Sequence, residues 1–156
     1  MNTFVQQHGG IYQRTQIMRE QLMDMLTDRD LAFTPGGSNP TLGELCREMA
    51  DIEASYIGSI KLLKQDWSYR NPQQGLTQST GQLKSLYSKL DSQLKVTMEG
   101  LSDEDLTQTI DRGFPVTVGT QLHIYREALL IFYSKVAVYL KAMGKPMPQQ
   151  WQDWIG

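Results

Sequence analysis

The sequence predicts an all-α fold, a four-helix bundle, from three observations. Apolar residues recur at three-, four- and seven-residue steps in four stretches of about 20 residues. Capping residues and Gly or Pro stops bracket several of those stretches. No convincing pair of strands occurs between them, which leaves a bundle as the simplest way to bury four amphipathic faces.

The first stretch runs from Phe4 to Leu26, with a face of Phe4, Ile11, Met18, Leu22 and Met25. Gly9-Gly10 should weaken its first turns, since glycine is a poor helix former. Thr34-Pro-Gly-Gly-Ser-Asn-Pro40 then reads as a loop, because proline and adjacent glycines block helix continuation. Thr41, behind Pro40 and three residues before Glu44, forms a capping box for the second helix. Its seam is Leu42, Leu45, Met49, Ile52, Tyr56, Ile60 and Leu63.

Gln65 to Gly75 is polar and contains proline, and reads as a loop. Ser79 with Gln82 caps a third helix whose face is Leu83, Leu86, Leu90, Leu94 and Met98, ending near Gly100. Ser102 to Asp105 suits a short extra turn, and Asp111 to Val118 an ordered extended loop. The fourth helix is expected from about Gly119 to Met143, closing at Gly144 with Pro146 beyond. Its seam is Leu122, Tyr125, Leu129, Phe132, Val136, Leu140 and Met143. Beside that seam runs a second apolar stripe of Ile124, Ile131 and Val138. Either the long loops with the Trp151-Gln-Asp-Trp154 tail or a second subunit must cover it.

Composition narrows the function classes. The chain has 156 residues, 40% of them hydrophobic and 21% charged, which suits one domain over 1–156 with a core of its own. Fifteen Lys and Arg stand against 17 Asp and Glu, with no basic run, so nucleic acid is not an expected partner. The most apolar run, Ala128 to Leu140, contains Lys135 and is too short to span a bilayer, so no membrane partner is expected. A start without a basic, apolar leader and a single cysteine, Cys46, fit a cytoplasmic protein.

Thr41-Leu-Gly-Glu-Leu-Cys-Arg-Glu48 behind a Pro-Gly-Gly loop, and Tyr139-Leu-Lys-Ala-Met-Gly-Lys-Pro146 at the end of the last helix, carry a resemblance. Together they resemble the DinB-like, damage-inducible proteins of the YfiT type. That resemblance implies an up-down-down-up four-helix bundle, often a homodimer. It further implies a divalent metal on three histidines, one from the second helix and two from the last, which in some members activates a small thiol. Carried over residue by residue, those three positions are Glu48, Ala128 and Phe132. Ala128 and Phe132 have no donor atom, and one carboxylate does not make a divalent site. Neither of the two histidines, His8 and His123, has a histidine four residues away. The expectation is therefore no metal, no cofactor and no assigned catalytic residue.

Helical angles sort the remaining polar residues. At 100° per residue from Tyr125, Phe132 lies at about -20° and Ala128 at about -60°, both bordering the core. His123 and Glu127, at about 160° and -160°, point outward as a solvated stripe. Glu44, Glu48, Asp51 and Ser55 share one flank of the second helix. They read either as a remnant acidic pocket centred on Glu48 or as an exposed acidic face with Lys135 across the bundle. Cys46, near the seam with no histidine nearby in sequence, reads as a buried structural thiol. Two functions of different class follow: a non-catalytic binding module for a small molecule or protein, or a thiol-dependent transferase or hydrolase with an altered site at Glu48.

Overall fold

A computed structural model describes residues 1–156. Four long helices, α1 (Thr3–Met25), α2 (Leu42–Leu62), α3 (Thr80–Glu99) and α4 (Val118–Ala142), form the bundle. A short helix, α5 (Gln149–Ile155), follows, and single 3₁₀ turns occupy Asp28–Ala32, Leu76–Gln78 and Asp105–Thr107.

The helix starts are where the capping residues stand. Thr41 Oγ1 accepts from Glu44 N at 3.2 Å while the Glu44 carboxylate accepts from Thr41 N at 2.7 Å. Ser79 and Thr117 accept from Gln82 N and Thr120 N in the same way. Asn2 does more than cap α1: its amide donates to the Met98 and Leu101 carbonyls at 2.7 and 2.8 Å, clamping the start of α1 to the end of α3. α1 runs unbroken through Gly9-Gly10. Past α4, Gly144 takes φ +69°, the left-handed geometry that stops a helix.

Side-chain contacts give the helix directions. The start of α1 meets the end of α3 at Asn2, and its start meets the start of α4 at Tyr12 and Leu122. Ser59, late in α2, meets Gln121 at the start of α4, and Tyr139 near the end of α4 donates to the Pro40 carbonyl before α2. Tyr87, early in α3, donates to the Cys46 carbonyl early in α2. α1 and α4 therefore point one way and α2 and α3 the other, an up-down-down-up bundle.

One cluster of 33 buried apolar side chains fills it. The seams of α3 and α4 are buried as expected, except that Met143 is half-buried. On α1 the expected face is rotated. Ile11 and Met25 are half-buried, and Tyr12, Thr15 and Arg19 take the interior. α2 approaches the 76–78 turn so closely that a Cβ on Gly43 would stand 2.0 Å from the Thr77 carbonyl oxygen.

Two expectations are corrected. The 111–118 segment is not a plain loop: β1 (Thr109–Asp111) and β2 (Pro115–Thr117) pair antiparallel in register Ile110↔Val116. Asp111 is also stitched to the end of α2, with Gln65 N donating to its carbonyl at 2.8 Å. Strands of three residues are too short to display a period of two, so the pattern stayed below notice. The tail, in turn, is a helix. Trp151 is fully buried, its indole N–H donates to the Met18 carbonyl at 3.2 Å, and its ring lies 5.0 Å from that of Tyr133. It covers the α1/α4 seam and leaves Ile131 and Val138 each 58% exposed.

No helix is long and apolar enough to cross a membrane.

Candidate functional site

On α2, Leu45, Glu48, Met49 and Ile52 form an i, i+3, i+4, i+7 stripe, and on α4 Ala128, Ile131, Phe132 and Lys135 form another. The antiparallel helices set these stripes face to face around a shallow cavity of about 120 Å³. Glu48, Ala128 and Phe132, far apart in sequence, thus line one cleft. Glu48 and Lys135 share it as exposed side chains without forming an ion pair.

These residues do not fit a divalent metal. A methyl group and a phenyl ring offer no lone pair, and an ammonium group in the same cleft repels a cation. Nowhere do three or more His, Cys, Asp or Glu side chains converge in metal-holding geometry.

Glu48 also borders a larger cavity of about 680 Å³ between α2 and the loop after it, with Arg47, Asp66, Trp67, Tyr69 and Arg70 in its wall. Glu44, Asp51 and Ser55 line this cavity too, so the flank read from helical angles is real. Most of its members are already engaged. Glu44 is held below the ordinary carboxylate range by the Thr41 backbone and side-chain hydrogen bonds of the capping box. Asp51 accepts from Asn71 N at 2.8 Å. Ser55 donates to the Asp66 carbonyl and accepts from the Gln65 amide. Glu48 alone of the four makes no hydrogen bond.

Cys46 is fully buried, and burial pushes its thiol up to about 12, so no thiolate forms at neutral pH. His123 and Glu127 are exposed, as their helical angles require. What helical angles could not show is that His8 of α1 crosses to His123, with ring centroids 4.8 Å apart and Phe4 against both. Partial burial and then the neighbouring His8 lower the pKa of His123. This pair sits where α4 meets α1, away from the α2-facing stripe of Ala128 and Phe132.

The strongest electrostatic feature lies at the bundle axis. Arg19 is fully buried, pairs with Glu53 at 2.5 Å and with Asp91, and stacks 4.4 Å above the Tyr87 ring. Burial opposes its charge, yet Glu53 foremost, then Tyr125 and Asp91, carry its pKa well above the ordinary value. Burial raises Asp91 to about 6 against the pull of Arg19. Three atoms of this centre and its rim, Arg19 Nε, Glu53 Oε1 and Tyr125 OH, are buried without a partner. The sequence held a signal for it. Glu53 falls between Met49 and Tyr56 on the seam of α2, and a charged residue at a seam position needs a buried partner.

No family model and no curated protein sequence matches the chain. Solved structures do. The DinB-like protein YjoA from Bacillus subtilis superposes with a TM-score of 0.69 at 17% identity, covering 94% of this chain and 96% of that one. A DinB-like protein from Bacillus cereus gives a TM-score of 0.72 at 19% identity, covering 93% of each chain. At such identities the likeness speaks for architecture, and the architecture of this chain is that of a DinB-like helical bundle.

Proposed function

We propose that the chain, as one domain, is a non-catalytic binding module that takes a small molecule or a protein segment in the α2/α4 cleft, without the three-histidine metal. The observation that carries this reading is the lining of the cleft: Ala128, Ile131, Phe132, Met49 and Ile52 supply apolar contact, while Glu48 and Lys135 supply one charge of each sign at its edge. Such a mixture suits recognition of an apolar group with a polar end. Metal analysis of the purified protein, followed by zinc and nickel titration, tests it. The expected result is no bound metal and an unchanged thermal midpoint. Stoichiometric metal that is lost in Glu48→Ala would overturn it.

One observation favours a second reading. Glu48 makes no hydrogen bond, unlike Glu44 and Asp51, so its carboxylate is available as an acid or base in a thiol-dependent transferase or hydrolase. Turnover in a thiol-substrate screen that vanishes in Glu48→Gln would establish it.

The chain is further read as a cytoplasmic homodimer. Ile131 and Val138, each 58% exposed on α4, support a second copy as the cover that α5 does not provide. An interface of this kind would be isologous. Scattering that reports a monomer at tens of micromolar would exclude it.

A further inference from the structure

The face of α4 that α5 leaves uncovered has a symmetry of its own. Its apolar stripe is Ile124, Ile131 and Val138, so Ile131 has one apolar residue seven positions to either side. Ile124 is half-buried and the other two are exposed. Four positions to either side of Ile131 stand opposite charges, Glu127 before it and Lys135 after it. Both are exposed, and neither forms an ion pair within the chain. At 100° per residue they lie about 40° to the two sides of Ile131, so all five residues share one outward strip about four turns long.

A helix with this pattern complements a copy of itself in one direction only. Set antiparallel about a twofold axis at Ile131, each Ile124 comes level with Val138 of the other copy. Each Glu127 then comes level with Lys135 of the other copy. Set parallel, the same strip brings lysine to lysine and glutamate to glutamate, which is repulsive. The strip also adjoins the α2/α4 cleft, because Ile131 and Lys135 line that cleft as well. A partner that covers Ile131 therefore stands at its mouth.

We propose that a second copy of the chain docks on α4, antiparallel about Ile131 with reciprocal Glu127–Lys135 pairs, and forms the outer wall of the α2/α4 cleft. Such an interface is isologous, each side using the same residues. It rests on the homodimer reading, to which it adds a register and a consequence. The cleft is half a site, closed only in the dimer, so binding there and dimerisation are linked.

Sedimentation equilibrium of the full chain across the micromolar range tests the interface, and methyl NMR tests the cleft. Wild type should dimerise. Ile131→Glu sets two carboxylates against each other on the axis and should give a monomer of unchanged helical content, since Ile131 is 58% exposed. Lys135→Glu should weaken association about tenfold or more, because two attractive pairs become repulsive. Adding Glu127→Lys to that variant should restore it. A neutral gadolinium chelate should broaden the Ile52 methyl signal more in the Ile131→Glu monomer than in the wild-type dimer, because Ile52 lines the cleft from α2. A wild-type monomer at tens of micromolar would overturn this interface and the homodimer reading together. A dimer that survives Ile131→Glu would overturn the interface alone and leave the homodimer to another face. Failure of the double swap to restore association would overturn the antiparallel register, and equal broadening of Ile52 in both forms would overturn the closing of the cleft.

Discussion

Between α2 and α4, where the resemblance puts three metal ligands, the chain places a methyl group, a phenyl ring and one exposed carboxylate. At the bundle axis it places Arg19, Glu53 and Asp91, drawn from α1, α2 and α3 and packed beneath Tyr87, Tyr125 and Tyr133. The charges of the cleft, Glu48 and Lys135, are exposed and hydrated, so either can change with little consequence for the fold, whereas Leu45, Met49 and Phe132 beneath them belong to the core. At the axis Arg19 and Glu53 are sealed and Asp91 is mostly buried, and each charge depends on the others, because removing one leaves its partner desolvated and unpaired. The buried charge of this bundle therefore serves to hold helices together.

The difference is tested most severely at Arg19. Arg19→Met keeps most of the volume but strands Glu53, which is fully buried, and should cost about 3–5 kcal/mol in chemical denaturation. A loss near zero would mean that the axis is as tolerant as the cleft. Next in size, Ala128→Leu fills part of the 120 Å³ cavity and should stabilise the protein by about 0.5–2 kcal/mol. If it destabilises instead, the cleft is tighter than its lining implies.

A smaller effect belongs to pH. Burial raises Asp91 from the ordinary 3.8 to about 6, so the folded state holds its proton more tightly than the unfolded state does. The corresponding stability is full below about pH 3.8 and is lost as pH rises through 6. His123, whose pKa is lowered from 6.5, works the other way: its contribution is lost as acidification proceeds below that value. Comparing wild type with Asp91→Asn isolates the first effect. The wild-type advantage should shrink between pH 4 and pH 7, and a constant difference would refute the assignment. Smallest of all, Glu48→Gln should leave the thermal midpoint unchanged, since that carboxylate is exposed and makes no hydrogen bond.

The helices were legible because their information is local. Thr41 and Glu44, Ser79 and Gln82, and Gly144 act within one turn, and the α3 seam from Leu83 to Met98 shows its period directly. The hairpin at 109–117 was not legible, since three residues per strand give no period and its pairing with Leu63 and Gln65 is long-range. The candidate site was half legible. Glu48, Ala128 and Phe132 do share a cleft and Cys46 is buried, but the meeting of His8 with His123 and the depth of Arg19 depend on how whole helices are rotated.

By itself the sequence determined four amphipathic helices, their caps and a chain too poor in histidine for a three-histidine centre. Those follow from spacing within a turn or two and from residue chemistry. The tertiary structure alone decided that α1 turns Arg19 inward and that Trp151 folds back onto Met18. Each of these rests on contacts between segments distant in the chain, where packing and the need to pair buried charge outweigh local preference.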